Sequence, residues 1–256
     1  MKTTHKILTA FALIFTLVSC GNSDDLMSKE TKTNTQNIIP IKLANFHAEA
    51  PDSSWILRVQ FDGDLYFEDI SKAIVFRGSV NELHVAQGAD VVGILAKNES
   101  HILRLSIDIV ECGNAGRNVD LMLRKNDKKE GTNFSGCGYY RGNPKLHNIW
   151  AVSSINGEDL NPEKFPKDIP HFEINLDTKH FSGFAGCNDV NGQLKFDYNK
   201  LIINTLISTK MYCAEVSTIE NQILEILRNG PLVYTVKGRN LILENRKGTL
   251  TLKNVD

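Results

Sequence analysis

Residues 102–109 read ILRLSIDI, and apolar and polar side chains alternate along this stretch. Alternation with a period of two is typical of a β-strand that buries one face, because successive side chains point to opposite sides of the strand. The pattern recurs through residues 41–140, with turn residues such as Asp62-Gly63-Asp64 and Asn98-Glu99-Ser100 in between. Strands that follow one another at a spacing of about ten residues predict an antiparallel sheet or a small β-barrel.

A second set of strands is predicted from residue 150 onward, for example at 171–176 (HFEINL) and 200–207 (KLIINTLI). One helix, predicted over residues 217–229, interrupts this set. Its signals are Ser217 as N-cap with Glu220 in a capping box, an apolar stripe at helical spacing, and Gly230-Pro231 as a stop. We expect the stripe to cover the open end or one face of the barrel, and partner binding is the alternative.

These patterns predict an α+β fold that is mostly antiparallel β, with two small β-barrel-like modules and one packed helix in the second. The modules are assigned to residues 40–141 and 146–256. Residues 142–147 (GNPKLH) carry Gly, Asn and Pro without periodicity and are interpreted as a hinge between domains.

The N-terminus has the organisation of an export signal. Lys2 and Lys6 precede an uncharged apolar run at residues 7–18 (ILTAFALIFTLV), which is shorter than the ~20 residues that a membrane-spanning helix needs. The following residues, LVSCG at 17–21, resemble the bacterial lipobox. The resemblance implies that residues 1–19 are removed and that Cys20 receives lipid. An ordinary signal peptide that ends near a cysteine is the alternative.

Residues 20–39 are interpreted as the lipid anchor and a flexible tether, because they are polar and charged and have few apolar side chains. The acidic pair Asp24-Asp25 resembles the surface-export signals of some bacterial lipoproteins, and a merely solvated tether is the alternative. Two or more acyl chains on Cys20 would give permanent attachment, since each buried CH₂ contributes about 0.8 kcal/mol. We therefore expect a protein of the bacterial cell envelope at the outer membrane, periplasmic or surface-exposed.

Four cysteines remain after Cys20: Cys112, Cys137, Cys187 and Cys213. An even number of cysteines in an exported chain predicts disulfides. Sequential pairing would close one loop in each module, but two other pairings and free buried thiols remain open.

The composition and the motifs argue against several functions. The chain has 29 Lys and Arg against 30 Asp and Glu, so no basic surface for nucleic acid is predicted. The sequence has no nucleophile elbow, zinc-protease helix or phosphate-binding glycine loop. We therefore predict no catalytic residues, no metal and no cofactor.

Three sets of residues allow a chemical interpretation as well as a structural one. His171 and His180 could form a metal pair, but exposed strand ends are the preferred explanation. The acidic pairs Asp62 with Asp64 and Glu68 with Asp69 could act as acid and base, although such residues are common in turns. The two tryptophans, Trp55 and Trp150, could stack a ligand, although both open strand patterns and are expected in the core.

Residues 150–252 resemble the META domain, the module of HslJ-type heat-shock lipoproteins. The resemblance is carried by FSGFAGCN at 181–188, by TKMYC at 209–213 and by single positions. The motif residues, to which we assign a structural role, are Trp150, Gly186, Cys187, Asn188, Gly192, Thr209, Cys213 and Glu220. The resemblance implies a compact barrel-like module with a link to stress in some members, and it transfers no catalytic residues.

The upstream half is similar to envelope domains that include membrane-bound inhibitors of C-type lysozyme. The likeness centres on Phe46-His47-Ala48, Trp55, Cys112 and Gly136-Cys137-Gly138, but the loop after Cys112 departs from the family pattern. Both halves also contain a Phe-Ser-Gly before a cysteine, at 134–137 and at 181–187, which we attribute to chance.

From the sequence we expect a non-catalytic, membrane-anchored envelope lipoprotein with a binding or stress-response role. The membrane is its predicted partner through Cys20, and its ligand and oligomeric state are open. Lysozyme inhibition by the first module is the alternative function, and an envelope hydrolase is a third possibility.

Overall fold

A computed structural model describes residues 38–86, 91–113 and 116–255. In these residues the strands close into two antiparallel barrels of 8 strands each, and one α-helix packs on the second. The predicted fold class is therefore confirmed. The predicted export signal, Cys20 and the Asp24-Asp25 pair lie outside the described residues. Within the described part, every helix is too short or too polar to cross a membrane.

The first barrel runs up and down, so that each strand pairs with the next and the last returns to the first. Its strands are β1 Phe46–Glu49, β2 Trp55–Val59, β3 Asp64–Asp69, β4 Ile74–Val85, β5 Val92–Lys97, β6 His101–Cys112, β7 Gly116–Lys125 and β8 Thr132–Tyr140. Apolar side chains fill the interior, and the largest fully buried ones are Phe46, Phe67, Phe76, Leu57, Leu65, Leu103 and Ile107. An eight-stranded barrel has an interior that side chains can fill, so this barrel is a packed core.

The stretch ILRLSIDI lies in β6, where its alternation matches the two sides of the barrel wall. Leu103, Leu105 and Ile107 point into the core, and Arg104 is exposed. Ile109 is 45% exposed although the alternation places it inside. The reason is an irregularity in the pairing of β6 with β7, which is regular up to Ile107 and resumes at Glu111.

The second barrel is also closed by pairing of its first and last strands. Its strands are β9 Asn148–Ile155, β11 His171–Asn175, β12 His180–Phe184, β13 Asp189–Asp197, β14 Lys200–Ser208, β15 Leu232–Lys237, β16 Asn240–Asn245 and β17 Gly248–Asn254, with the short β10, Glu158–Asp159, beside β9. Its core includes Trp150, Phe172, Phe181, Ile174, Leu201 and Leu250. Short 3-10 helices lie at Ile41–Leu43, Pro144–Leu146 and Pro162–Lys164.

The helix α1, Ser217–Arg228, buries the apolar stripe that the sequence predicts, including Ile223 and Leu227, in the second core. It lies between β14 and β17, where β15 pairs with β14 only at Lys200 and Leu201. Its last turn is tied to the turn between β16 and β17, because Asn245 Nδ2 donates to the carbonyl of Ile226 at 2.8 Å. The helix thus packs against the second barrel and adds apolar side chains to its core.

The predicted capping box at the start of α1 is wrong. Val216 occupies the N-cap position, and no side chain caps the helix there. Ser217 Oγ instead donates to the carbonyl of Ala214 at 3.2 Å. Glu220 turns toward the barrel, where buried N–H groups offer its carboxylate stronger hydrogen bonds than the helix terminus does.

Two segments that the sequence assigns to flexible connections are packed. Ile39, the predicted end of the tether, is 4% exposed, and its carbonyl accepts a hydrogen bond from Arg58 Nη1 at 2.8 Å. In the predicted hinge, Leu146 is fully buried in the second core, and its carbonyl accepts from Trp150 Nε1 at 2.9 Å. Isolated apolar residues in these polar stretches therefore anchor the two segments to the barrels.

His47 on β1 gives the first barrel a predicted sensitivity to acid. Its side chain is 16% exposed, and Nδ1 has no hydrogen-bond partner among the described residues. Burial lowers the pKa of His47 below its ordinary 6.5, partly opposed by Glu49, which raises it, while Arg58 lowers it further. The folded state then binds the proton less readily than the unfolded state. The contribution of His47 to the free energy of unfolding is therefore fully present above the ordinary pKa and is lost as pH falls below it.

We therefore expect the free energy of unfolding to decrease between pH of about 7 and about 5, and the His47→Gln variant to lose less over this interval. Urea denaturation at each pH measures the difference. The control is His84→Gln, because the His84 side chain on β4 is 78% exposed. A pH dependence that is the same in all three proteins would contradict the assignment.

Candidate functional site

A buried polar network joins the loop after β12 to the helix α1. The side chain of Glu220, which is 5% exposed, accepts three hydrogen bonds from that loop. Its Oε1 accepts from the backbone N–H of Cys187 at 3.3 Å and of Asn188 at 2.6 Å, and its Oε2 accepts from Asn188 Nδ2 at 2.9 Å. Hydrogen bonds to a carboxylate are stronger than those between neutral groups, so Glu220 fixes the loop firmly.

Asn188 continues the network to the loop after β14. Its Nδ2 also donates to the carbonyl of Met211 at 3.1 Å, and its Oδ1 accepts from the N–H of Met211 at 2.6 Å and from Thr209 Oγ1 at 2.9 Å. Thr209 Oγ1 in turn accepts from the N–H of Asp189 at 3.1 Å. One amide side chain therefore connects the helix with two loops.

A disulfide between Cys187 and Cys213 links the same two loops, with 5.9 Å between the Cα atoms. Cys187 is 2% exposed and packs with Phe165 and Val216. Although the backbone of the second loop is held on both sides, its residue Tyr212 is 84% exposed.

The arrangement around Glu220 is a structural clamp. Both oxygens of Glu220 and both ends of the Asn188 amide form hydrogen bonds within the protein. Gly186 has a φ of 116°, a conformation that favours glycine, and lets the chain turn into the loop. The structure thus brings together six of the motif residues: Gly186, Cys187, Asn188, Thr209, Cys213 and Glu220.

The remaining motif residues lie elsewhere in the second barrel. Trp150 is 1% exposed in its core. Gly192 lies on β13 beside a register shift, where a Cβ would come within 2.7 Å of Ile203 Cγ2. Trp55 is 3% exposed in the first core, so both tryptophans are core residues, as expected.

The two histidines considered as a metal pair are held apart. They belong to the hairpin of β11 and β12, in which His171 pairs with Phe184 and His180 pairs with Asn175, at opposite ends. In the described part of the chain, no group of three His, Cys, Asp or Glu residues could hold a metal ion.

The acidic pairs have structural partners. Asp64 forms an ion pair with Arg77 at 3.0 Å, and Asp62 with Lys145 at 3.2 Å. Glu68 Oε2 accepts from the hydroxyl of Tyr66 at 2.7 Å. Asp69 is 2% exposed, and its Oδ1 accepts from Ser71 Oγ at 2.6 Å and from the N–H of Lys72 at 3.2 Å within a turn.

The second disulfide joins Cys112, at the end of β6, to Cys137 on β8, with 5.9 Å between the Cα atoms. The structure therefore has the sequential pairing among the three that the sequence leaves open. The shared Phe-Ser-Gly lies on β8, the last strand of the first barrel, and on β12, the third strand of the second. These positions are not equivalent, which agrees with chance rather than duplication.

The two barrels contact each other through aromatic rings. Phe61 and Tyr140 of the first barrel lie 5.2 Å and 6.5 Å from Tyr198 of the second, between ring centroids. Arg117 and Asp197 form an ion pair across the same boundary at 2.9 Å. Burial raises the pKa of the Tyr198 hydroxyl, so this aromatic contact stays uncharged at neutral pH.

Asn45, which carries no motif in the sequence, fixes the chain between the barrels. It is 5% exposed. Its Oδ1 accepts from the N–H of Phe61 at 2.9 Å, its Nδ2 donates to the carbonyl of Gly142 at 3.3 Å, and its carbonyl accepts from the N–H of Arg141 at 2.8 Å. Gly142 has a φ of 81°, and a Cβ there would lie 2.8 Å from the Phe196 ring. The backbone that carries Arg141 is therefore held in place.

A crevice of about 250 Å³ lies beside this connection. Its lining includes three basic and three apolar residues, which are Lys42, Arg141, His147, Leu43, Pro144 and Leu176. These residues are scattered through the sequence and obey no spacing rule, so sequence patterns could not have identified them. The crevice thus combines a concave shape with basic charge and apolar walls.

Two barrels, each with an internal disulfide, and a buried structural clamp define a disulfide-stabilised β-barrel protein. Proteins of this class suit an oxidising compartment. The family model of the META domain matches residues 143–255, which supports the resemblance seen in the second barrel. The match suggests a bacterial envelope protein of the HslJ type, and the META domain is not known as a catalytic family. No curated protein matches the chain.

Two solved structures resemble part of the chain. One, described only as the NMR structure of a protein, is 27% identical over 43% of this chain and 92% of its own, with a TM-score of 0.37. The other, an NMR structure of a protein from Burkholderia xenovorans, is 22% identical over 42% of this chain and 81% of its own, with a TM-score of 0.35.

Proposed function

We propose that this chain is a non-catalytic envelope lipoprotein, held at the outer membrane by lipid on Cys20, which acts in a stress response by binding an envelope component. The observation that carries the proposal is the presence of one disulfide in each barrel. Such bonds persist in exported proteins, and the sequence before them has the order of an export signal followed by a lipobox.

Binding rather than catalysis is supported by how the interior is used. Side chains fill both barrels, and the buried carboxylate of Glu220 accepts three hydrogen bonds from the protein itself. A ligand therefore has to engage the outer surface or the crevice between the barrels.

Replacing Cys20 by serine tests the anchor. We expect the full-length wild-type protein to be recovered with membranes and to incorporate a labelled fatty acid, and the Cys20→Ser variant to lose both properties almost completely. Two or more chains, at about 0.8 kcal/mol per buried CH₂, account for all of the attachment. Membrane fractionation and mass spectrometry of the N-terminus give the measurement.

The melting curve of the folded part should not change in this variant, because Cys20 lies outside the compact unit Asn37–Asp256. Recovery of the wild-type product from the cytosol, with residues 1–19 attached and without fatty acid, would overturn the proposal.

Inhibition of lysozyme by the first barrel stays a prediction. The loop on which that resemblance depends follows Cys112, and its residues 114–115 lie outside the described part of the chain. An assay of lysozyme with micromolar amounts of residues 37–256 decides it, since unchanged enzyme activity removes this function.

A further inference from the structure

The guanidinium of Arg141 lines the crevice between the barrels without a partner for its charge. Arg141 is half-buried, and among the described residues only its backbone N–H is hydrogen-bonded, to Asn45. Lys42, which lines the same crevice, also forms no ion pair within the described part. The acidic lining residue Asp177 lies 3.9 Å from His147, and within the described part it forms no ion pair with Arg141. A partly desolvated cation without a counter-charge is unfavourable, and a bound anion would relieve that cost.

The other walls of the crevice are apolar. Leu43 is 41% exposed, and Pro144 and Leu176 line the same space. Water is a poor occupant of a site in which apolar walls face a guanidinium, because a water molecule can hydrogen-bond to the guanidinium but not to the apolar walls. The combination fits a ligand with an anionic end and a short apolar end.

The backbone beside the crevice is also preorganised for ligand binding. Two hydrogen bonds of Asn45 fix the chain at Arg141 and Gly142, and a third joins Asn45 to Phe61. A 3-10 helix at Pro144–Leu146 follows directly. A site that is already ordered loses less conformational entropy on binding. Ordinary ligand pockets measure about 300–1,000 Å³, so a crevice of about 250 Å³ suits a small molecule or a headgroup.

We propose that this crevice binds a phosphate monoester that carries a short apolar group. A phosphate monoester has a charge of about −1.5 to −2 at neutral pH, which Arg141 and Lys42 together can neutralise. The planar guanidinium can donate two parallel hydrogen bonds to one phosphate. The phosphate can belong to a soluble ester or to a lipid headgroup, and the experiment below distinguishes these sources. The proposal does not depend on lipid at Cys20.

The test uses residues 37–256, which form one compact unit, and isothermal titration with hexyl phosphate. We expect saturable binding of one molecule, about tenfold or more tighter than that of inorganic phosphate or hexanol. Arg141→Ala should weaken binding about tenfold or more, since a hydrogen bond to a charged group contributes about 1.5–3 kcal/mol. Lys42→Ala, an exposed substitution, should weaken it in the same direction and keeps the test valid if Arg141→Ala disturbs the fold.

Arg104→Ala is the matched control. Arg104 is an exposed arginine on β6, also without a side-chain partner among the described residues, and it is not among the residues that line the crevice. Its substitution therefore changes the net charge equally. Equal weakening in the two arginine variants would overturn the proposal, as would absence of saturable binding or equal binding of hexanol.

Vesicles identify the source of the phosphate. Binding to vesicles that contain phosphatidic acid, whose headgroup is a phosphate monoester, but not to phosphatidylcholine vesicles, lost in Arg141→Ala, supports the proposal with a lipid headgroup as ligand. Binding of hexyl phosphate without binding to either vesicle supports it with a soluble ester as ligand.

Discussion

Replacing Glu220 by alanine should lower the free energy of unfolding of the second barrel by about 3 kcal/mol or more. The substitution leaves the N–H groups of Cys187 and Asn188 and one hydrogen of the Asn188 amide without an acceptor. These donors are buried, so water cannot replace the carboxylate without opening the loop. Urea denaturation of residues 37–256 in a Trp55→Phe background, followed by the fluorescence of Trp150, measures the loss in this barrel.

The same helix offers a matched control. Glu225 is exposed and pairs with Lys247 Nζ at 2.6 Å on the surface, and exposed pairs contribute about 1 kcal/mol or less. Glu225→Ala should therefore lose much less stability than Glu220→Ala. Equal losses would show that the clamp does not hold the loop.

Glu220→Gln should fall between wild type and Glu220→Ala. One oxygen can still accept from the two backbone N–H groups, but the new NH₂ group would face Asn188 Nδ2, which is also a donor. Rotating the Asn188 amide to remove this conflict would break its bonds to Met211 and Thr209. Each partner in the network therefore fixes the orientation of the next.

The strands were predictable because they obey a local rule. Alternation in β6 identifies Leu103, Leu105 and Ile107 as core residues since each strand has one apolar side facing the interior. The rule fails at Ile109, where the ladder with β7 is irregular. An irregularity of this kind depends on the neighbouring strand, so no window of a single strand contains the information.

The capping box shows a different limit. Ser217 and Glu220 have the right identities and spacing, but local spacing cannot exclude a distant competitor for the same carboxylate. The donors that win, the N–H groups at residues 187 and 188, are more than thirty residues away in sequence, at separations of 33 and 32. The motif residues could be identified as a set, whereas their mutual hydrogen bonds could not.

The crevice between the barrels was not predictable at all. Arg141 and Lys42 come together only after two barrels have formed and Asn45 has fixed the chain between them. The predicted hinge at residues 142–147 led to the opposite expectation, because Gly, Asn and Pro are also typical of flexible connections. Burial of Leu146 in the second core decides the outcome.

Removing the disulfide Cys187–Cys213 should destabilise its barrel more than removing Cys112–Cys137 does. The bonded residues are 26 and 25 positions apart, so the chain-entropy model gives each bond about 3 to 4 kcal/mol. The surroundings differ. Cys137 lies on β8 and keeps its ladder position opposite Asn118 without the bond. Cys213 lies in a loop outside the strand ladders. Without the bond, this loop is held by the contact of Met211 with Asn188 and by the hydrogen bonds that the Cys213 carbonyl accepts from the N–H groups of Val216 and Ser217, at 3.2 Å and 3.0 Å.

The double variants Cys187→Ala with Cys213→Ala, and Cys112→Ala with Cys137→Ala, avoid free thiols and allow a direct comparison by urea denaturation. Adding Asn188→Ala to each double variant tests whether that disulfide and the polar network of Asn188 stabilise the protein independently. The disulfide Cys187–Cys213 and the Asn188 network both hold the loop after β14, so the losses of unfolding free energy caused by removing each should deviate from additivity by about 1 kcal/mol or more. The losses caused by Asn188→Ala and by removal of Cys112–Cys137 should add. Equal losses for the two bonds, with additivity in both cases, would mean that the polar network holds this loop without help from the disulfide.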